Sequence, residues 1–369
     1  MSAGPRPARA TFRQHLFDHP APGPLLLPVP TARRERSAIG TAVDQRLRLA
    51  FTAAEPLDRS TAIGIALSSR IPDAPVADAL IRVGTHLAQE LSATAACTEL
   101  DARRLPLART AGAEDRLARI LLAAAWYAVA ARAGAAFLAT PLYRAAAQDP
   151  DGFTLDRLLV LPRPEVVGDV VQQIERAAES ELGPRRQQSL PGHCVAGPGF
   201  PGQQIGADAD LVVDGLLLDF KSTTLVRELS QHTLWQLLGY LLLDREDRYR
   251  IDSVGIYLTR RGTLVHWSVP DFLNLLGARR RDLPVLRAAV AQLLARCEAG
   301  RPPGGLREQR AVEELLTDLA PNPRPGHCLV CSGLIPSAAS RGTSRRYCST
   351  WCTKRSSVVR RRHPRRTAP

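Results

Sequence analysis

The stretch 205–221, which reads IGADADLVVDGLLLDFK, holds two short apolar runs, 211–213 and 216–218, on either side of Asp214-Gly215. Asp214-Gly215 is a strong signal for a two-residue β-hairpin turn, because a type I′ turn needs positive φ at both central positions. Side chains alternate along a strand, so folding the chain about this turn gives the hairpin one apolar face. That face comprises Leu211, Val213, Leu216, Leu218 and Phe220.

The opposite face of the predicted hairpin gathers charge at the end away from the turn. The register sets Asp210 opposite Asp219, and Asp208 opposite Lys221. Opposed carboxylates repel across a strand pair. We therefore expect a cation there, and a hard divalent ion with oxygen ligands fits. The alternative is a solvated polar face on an edge hairpin. That alternative does not explain why Val212 and Leu217, which are apolar, lie on the same face next to the turn.

Patterns elsewhere predict elements that pack around this hairpin. SQHTLWQLLGYLLLD at 230–244 predicts a Ser-capped, almost wholly apolar helix, which we expect to be buried. SVGIYLTRRGTLVHWSV at 253–269 predicts two strands around an Arg-Arg-Gly turn, and EVVGDVVQQIERAAESEL at 165–182 predicts an amphipathic helix. The Ala/Leu/Arg-rich residues 37–148 predict further helices. The fold class is α/β, with a mixed central sheet flanked by helices.

Composition divides the 369-residue chain into four parts. Residues 1–36 hold seven prolines before residue 31 and predict a flexible arm. Residues 37–300 form the α/β domain, with a helical insert at about 51–160. Residues 301–323 form a linker helix between Pro/Gly-rich segments, and 324–369 form a basic module. The most apolar run, 120–131, is too short to cross a membrane, so we expect no membrane partner.

Lysine is rare in this chain. Of 49 Lys+Arg residues only Lys221 and Lys354 are lysines. Where a positive charge alone would serve, the sequence has arginine. Lys221 is therefore a candidate for chemistry that requires a compact ammonium group, and chance is the alternative.

The spacing Asp210-x8-Asp219-x-Lys221 on a predicted hairpin resembles the motif of the PD-(D/E)XK nuclease superfamily. Downstream, Gln236-Leu-Leu-Gly-Tyr240 is similar to the Q-x-x-x-Y helix motif of the RecB-like branch. The resemblance extends over 165–270, and more weakly over 37–50. It implies a restriction-endonuclease-like fold with an added helical segment. It also implies that these five residues are the catalytic group.

Two further positions follow from this resemblance. Gly40-Thr-Ala-Val-Asp44 lies where the RecB-like branch often has G-x-x-x-His, with Asp44 in place of the histidine. In the resembling fold a helix before the hairpin often supplies an extra acidic ligand, and Glu175 and Glu179 are both candidates. A solvated helix face explains them equally well.

His232, Gln236 and Tyr240 are spaced four residues apart and form one polar stripe on the predicted helix. Buried polar groups need partners. The stripe either bonds to a neighbouring loop or faces the aspartate cluster, where it would help to position a substrate phosphate or a metal ligand.

Phosphodiester hydrolysis needs an activated water and relief of charge on the phosphoryl oxygens. Mg²⁺ or Mn²⁺ held by Asp210 and Asp219 would supply both. Lys221 would orient the water or help to deprotonate it.

Four of the seven cysteines form two close pairs, with the spacing Cys328-x2-Cys331-x16-Cys348-x3-Cys352. In a chain without a recognisable signal peptide, this spacing indicates a tetrahedral Zn²⁺ site rather than disulfides. An iron–sulfur cluster is the alternative. The segment is similar to CGNR-type and related treble-clef-like zinc modules.

Positive charge is concentrated in the same module. Residues 324–369 contain eleven Lys+Arg and no Asp or Glu, so the rest of the chain contributes only +2 of the formal net charge of +13. Such a patch is the electrostatic signature of nucleic-acid binding. A disordered basic tail without a specific partner is the alternative. The candidate nucleic-acid-binding residues are Arg345, Arg346, Lys354, Arg355, Arg360, Arg361 and Arg362.

These features predict a metal-dependent nuclease that acts on DNA, and the basic module would also permit binding to RNA. The competing classes are a non-catalytic DNA-binding or regulatory protein on a nuclease-like scaffold, and an RNA-processing nuclease. The cysteine usage and the apparent lack of a leader predict a cytoplasmic location.

Deleting residues 324–369 is expected to weaken DNA binding and to flatten its dependence on salt, because fewer phosphates are neutralised. The binding constants of the full chain and the truncated chain, measured across a salt series, test this. Metal analysis of the full chain should give about one zinc per chain. Equal binding by the two proteins would locate the nucleic-acid surface in the α/β domain.

Overall fold

The computed structural model describes residues 6–30, 35–52, 56–96, 103, 105–200, 207–225, 229–276 and 283–295, and the single positions 326, 328, 335, 346, 347 and 353. A five-stranded mixed sheet lies at the centre of the fold, in the order β1-β2-β3-β4-β5. All neighbouring strands are antiparallel except β3 and β4, which are parallel. The strands are β1 (Cys194–Ala196), β2 (Leu211–Val213), β3 (Leu216–Lys221), β4 (Ser253–Leu258) and β5 (Thr263–Ser268).

Helices flank this sheet, as the sequence predicts, and the α/β class is confirmed. In the described part of the chain they are α1 (Arg6–Asp18), α2 (Arg36–Phe51), α3 (Arg59–Leu67), α4 (Ala74–Ala96), α5 (Ala111–Ala133), α6 (Pro141–Gln148), α7 (Leu155–Val160), α8 (Pro164–Ala178), α9 (Leu182–Gln188), α10 (Gln231–Leu243), α11 (Val269–Leu275) and α12 (Leu283–Ala295).

The central hairpin has the predicted turn and register. Asp214 and Gly215 both have positive φ, 47° and 79°, and Val212 pairs with Leu217 across the strands. The two faces of the hairpin enter different cores. The face with Leu211 and Leu218 packs against α2, α5 and α8, whereas Val212 and Leu217 pack with α10 and β4. The second face is therefore apolar near the turn and charged further away.

Helix α10 connects the parallel strands β3 and β4, a connection that parallel pairing requires. Ser230 caps it by accepting a hydrogen bond from Thr233 N, and the predicted boundaries hold. The prediction that the whole helix is buried is wrong. Leu234, Leu237 and Leu241 are buried on its inner face, but Trp235 on its outer face is 48% exposed. The helix forms an outer layer of the fold, so one side meets solvent.

The helical segment 59–160 joins one face of the sheet in a single core. Helix α5 lies at its centre and packs against α2, α3 and α8. The apolar run 120–131 lies inside the longer stretch Ala111–Ala139, which is long and apolar enough to cross a membrane. Since 56% of its most apolar window is buried inside the protein, packing in the core accounts for its composition.

The flexible arm predicted for residues 1–36 is wrong for its first half, where α1 forms. Ala8, Phe12 and Leu16 lie on one side of α1 and are buried in the core that also contains Trp267. His15 Nε2 lies 2.7 Å from the backbone oxygen of Leu264 in β5. The prolines misled the prediction because they fall at the start of this helix and after it, where proline is tolerated.

A buried polar network joins α8 to the ends of β3 and β4. Asp169 forms a two-bond ion pair with Arg260, at 2.8 and 2.9 Å. Gln173, one turn further along α8, accepts hydrogen bonds from Ser222 (2.8 Å) and Thr259 (2.6 Å). The network sets the position of the chain directly after Lys221.

The linker helix predicted for 301–323 and most of the basic module lie outside the described residues. Cys328 is buried. Ile335 N donates a hydrogen bond of 2.9 Å to Gly326 O, so these two positions lie close together.

Replacing Asp169 by Ala is expected to lower the free energy of unfolding by about 3–5 kcal/mol, because Arg260 would keep a buried, unpaired charge. Each side chain of this pair is only 3% exposed. Urea unfolding measures the loss. Arg116→Ala, which breaks a pair whose arginine is 64% exposed, should cost about 1 kcal/mol or less. Similar losses in the two variants would contradict a structural role for the Asp169–Arg260 pair.

Candidate active site

Three separate segments bring polar side chains together beside the charged end of the hairpin. Asp44 and Arg48 come from α2, and Gln236 and Tyr240 come from α10. The hairpin supplies Asp210, which immediately precedes β2, and Asp219 and Lys221 of β3. We call these seven residues the acidic cluster. Hydrogen bonds and ion pairs connect its members in two groups, one around Arg48 and one around Lys221.

Asp210 links the hairpin to α2. Its Oδ2 accepts a hydrogen bond from the backbone N–H of Phe220 at 2.6 Å, and its Oδ1 accepts one from Arg48 Nη2 at 2.8 Å. Arg48 also binds Asp44, four residues earlier on the same helix, with Nε–Oδ1 of 2.8 Å and Nη2–Oδ2 of 2.7 Å. One guanidinium group therefore bridges two carboxylates.

Lys221 links the hairpin to α10. Its Nζ lies 2.7 Å from Asp219 Oδ2 and donates a hydrogen bond of 3.1 Å to Gln236 Oε1. Gln236 Nε2 donates in turn to Tyr240 OH at 2.7 Å. The Lys221 side chain is 30% exposed and that of Asp219 is 1% exposed, so the ammonium lies between the buried carboxylate and solvent.

Burial and repulsion from a neighbouring carboxylate raise the pKa values of Asp44 and Asp219. Burial, together with the charge of Asp210, raises the pKa of both Asp44 and Asp219 to about 7, against the lowering effect of Arg48 and Lys221. Burial also raises the pKa of Tyr240 to about 12, so its phenol keeps its proton. The two cations of the cluster do not fully compensate for three buried or half-buried carboxyl groups.

The end of α2 that carries Asp44 and Arg48 is held by arginines from other parts of the chain. Arg103 donates to the backbone oxygens of Ala50 (3.1 Å) and Phe51 (2.7 Å), and Arg186 donates to Ala50 O at 2.6 Å. The last carbonyl groups of a helix have no partner within the helix, and positive charge near them is stabilising. These contacts fix the position from which Arg48 reaches Asp210.

Asp208 does not face Lys221, and this prediction is wrong. Strand β2 begins at Leu211, and the residues before it leave the ladder with β3 but stay paired with the segment after β1, where Asp208 forms a bridge with Gly199. Asp208 is exposed and lines a cavity of about 230 Å³ next to the cluster. The ladder ends early because the side chain of Asp210 takes the backbone N–H of Phe220.

Glu175 is exposed on α8 and contacts no member of the acidic cluster among the described residues. The side chain that α8 directs toward the end of β3 is Gln173. The sequence carries a signal for this, since Gln173 lies three residues after Val170 and beside Ile174, on the apolar side of the helix.

His232 shares a helix face with Gln236 but is exposed and makes no hydrogen bond within the described part of the chain. The other two members of the predicted stripe, Gln236 and Tyr240, are linked to Asp219 by the hydrogen bond between Gln236 and Lys221. Arg48 is the member of the cluster that sequence reasoning missed. Its signal is the four-residue spacing from Asp44, which puts opposite charges on one face of a helix.

Only six positions of the basic module, 326, 328, 335, 346, 347 and 353, are among the described residues. Arg346 is exposed. The remaining residues predicted to hold zinc or nucleic acid, apart from Cys328, lie outside the described residues: Cys331, Cys348, Cys352, Arg345, Lys354, Arg355, Arg360, Arg361 and Arg362.

Among the described residues, no group of three or more His, Cys, Asp or Glu side chains is arranged to hold a metal ion. The pair Asp210 and Asp219 nevertheless fits Mg²⁺ or Mn²⁺, because Mg²⁺ is often bound through one or two carboxylates, with substrate phosphates and waters completing its shell. Asp219 Oδ2 is buried and lies 2.7 Å from the Lys221 ammonium. This oxygen is therefore already placed beside one positive charge.

No protein-family model, no curated protein and no solved structure matches the chain.

Replacing Asp219 by Asn is expected to stabilise the metal-free protein above about pH 7. The pKa of Asp219 rises from 3.8 to about 7 on folding, so the folded state binds this proton more tightly than the unfolded state. The resulting stability is complete below about pH 3.8 and is lost as the pH rises through about 7. Urea unfolding in EDTA from roughly pH 5 to pH 8 should show wild-type stability falling relative to that of the variant.

Asp156→Asn is the matched control, since Asp156 is exposed on α7 and has no side-chain partner among the described residues. Its stability should follow that of the wild type across the series. Parallel curves for Asp219→Asn and the wild type would contradict the raised pKa.

Proposed function

We propose that this protein is a metal-dependent nuclease that hydrolyses phosphodiester bonds in DNA, on a restriction-endonuclease-like core. The observation that carries the proposal is the hydrogen bond between Lys221 and Gln236. It joins the hairpin motif to the downstream helix motif, which the resemblance to the RecB-like branch treats as parts of one site. The upstream motif joins the same cluster, because Asp44 reaches Asp210 through Arg48.

Asp210 and Asp219 would hold Mg²⁺ or Mn²⁺. When bound, such an ion lowers the pKa of water and stabilises charge on phosphoryl oxygens. The partly exposed ammonium of Lys221 is available to a substrate phosphate and to the attacking water, and can carry part of the negative charge that develops. Asp219 keeps that ammonium close to the carboxylate pair.

Gln236 and Tyr240 position Lys221. The amide of Gln236 is oriented from both sides, since its oxygen accepts from Lys221 and its nitrogen donates to Tyr240 OH. The raised pKa of Tyr240 keeps the phenol neutral at physiological pH. Removing the Tyr240 hydroxyl would free the amide to rotate and would let the ammonium move.

The basic module would supply nucleic-acid affinity. Zinc held by Cys328, Cys331, Cys348 and Cys352 would be structural, because four thiolates leave no open ligand position. The burial of Cys328 and the hydrogen bond between Ile335 and Gly326 support such a module.

A second candidate is a non-catalytic DNA-binding protein that retains the nuclease scaffold. The bridge from Arg48 to Asp210 and Asp44 favours it, because a guanidinium group already neutralises part of the carboxylate set. An RNA-processing nuclease differs only in substrate, so the same assay separates it.

The test is cleavage of linear duplex, circular duplex and single-stranded DNA, and of RNA, with Mg²⁺, Mn²⁺ or EDTA. We expect cleavage with metal, and Lys221→Arg should lower the single-turnover rate by roughly a hundredfold or more. Arginine keeps the charge, but its planar group is wider and does not lose its proton. Lys354→Arg, the same change at the other lysine, is the control and should cleave normally.

Melting curves establish that both variants are folded. Wild-type cleavage by Lys221→Arg would remove Lys221 from the chemistry. Binding of DNA without cleavage under every metal condition would favour the non-catalytic candidate.

A further inference from the structure

Arg48 competes for oxygens that a metal ion would use. Its Nη2 lies 2.8 Å from Asp210 Oδ1 and 2.7 Å from Asp44 Oδ2, and its Nε binds Asp44 Oδ1. The other oxygen of Asp210 accepts the backbone N–H of Phe220. A divalent ion approaching Asp210 from the Oδ1 side would therefore meet a guanidinium group and its positive charge.

The backbone at Gly197 leaves room for the guanidinium group of Arg48 in this position. Gly197 follows β1 with φ of +56°, a conformation that favours glycine, and a Cβ there would lie 3.0 Å from Arg48 Nη1. Gly197 N also donates to Asp210 O at 3.0 Å. The same residue thus holds the strand that carries Asp210 and leaves room for the guanidinium.

The structure also offers a second place for the guanidinium group. A cavity of about 230 Å³ lies against Arg48, and its lining includes Gln45, Thr52, Gly197, one cation, Arg59, and two carboxylates, Asp58 and Asp208. Arginine has a long side chain with several rotatable bonds, so it can leave Asp210 without movement of α2. Asp58 and Asp208 would provide new partners for its charge.

We propose that Arg48 is a metal-displaced latch, which pairs with Asp210 and Asp44 when the site is empty and moves into this cavity when a divalent ion binds. This inference rests on the proposed function, because it takes Asp210 and Asp219 as metal ligands. The latch keeps the carboxylates neutralised between cycles. It also makes metal affinity lower than the carboxylate pair alone would give.

The experiment measures Mn²⁺ binding directly, by the electron paramagnetic resonance signal of free Mn²⁺, in the full-length protein without nucleic acid. Arg48→Met should bind Mn²⁺ about tenfold more tightly or better than the wild type, since charge-assisted hydrogen bonds no longer compete with the ion. Asp219→Asn should weaken binding in both backgrounds, which assigns the signal to this site rather than to the cysteine module.

Arg59→Met is the matched control. Arg59 lines the same cavity, is exposed, and has no hydrogen bond to Asp44 or Asp210 in the described structure. Loss of its charge tests whether any nearby cation weakens metal binding. The latch requires a clearly larger gain in Arg48→Met than in Arg59→Met.

Thermal melting with and without Mn²⁺ gives a second readout. Arg48→Met should melt below the wild type in EDTA, because two carboxylates lose their partner, and should be stabilised more by Mn²⁺. Arg48→Lys, which keeps one charge but not the fork, should lie between them and covers the case in which Arg48→Met does not fold.

Two outcomes overturn the latch alone: Mn²⁺ binding to the wild type that is weakened or unchanged in Arg48→Met, and equal gains in Arg48→Met and Arg59→Met. Absence of Asp219-dependent Mn²⁺ binding in every variant would overturn the metal-dependent function together with the latch.

Discussion

The carboxylate of Asp210 is the contact on which the candidate site depends. One of its oxygens binds the backbone of β3 within its own hairpin, and the other binds Arg48 on α2. The first contact replaces a ladder hydrogen bond where β2 has not yet begun, and it aligns Asp219 and Lys221 with Asp210. The second connects the hairpin to the helical layer. Among the described residues, this carboxylate provides the polar link between the upstream helix and the hairpin at the site.

The arrangement carries an electrostatic cost that the rest of the fold offsets. Three carboxyl groups lie close together in a region of low exposure, and two of them have raised pKa values for that reason. Cores packed on both faces of the sheet hold the elements that carry them. Arginine contacts at the end of α2 and the Asp169–Arg260 pair beside β4 add buried polar links. Carboxyl groups with raised pKa values, caused by burial and like-charge neighbours, are common at functional sites.

The proposed metal ion and Arg48 are two alternative sources of positive charge for the same carboxylates. A site that awaits a dication needs its carboxylates to remain folded in place when the ion is absent. A guanidinium group on a long side chain can neutralise them and then withdraw, whereas a lysine so close to the helix could satisfy fewer oxygens at once. The glycine at 197 and the adjacent cavity make such a movement geometrically feasible.

Local chemistry explains which features could be predicted. The hairpin register followed from the Asp214-Gly215 turn and from the alternation of side chains between the two faces of a strand. The limits of α10 followed from Ser230 and the apolar run. Both could be predicted because turns and caps are decided by neighbouring residues. The motif spacing brought Asp210, Asp219, Lys221, Gln236 and Tyr240 forward as a set. The helical nature of 37–148 followed from composition. The turn, the cap and the helical composition each depend on interactions within a few residues along the chain, whereas the five-residue set followed from the resemblance of its spacing to a known motif.

Packing between distant segments decided the rest. Whether α1 folds back on β5, which side of α10 meets solvent, and whether Asp208 or Glu175 reaches the cluster depend on surfaces contributed by residues far away in sequence. Arg48 is the clearest case. The sequence by itself determined that a positive charge lies one helical turn after Asp44. Only the tertiary structure, by bringing α2 against the hairpin, decided that this charge meets Asp210.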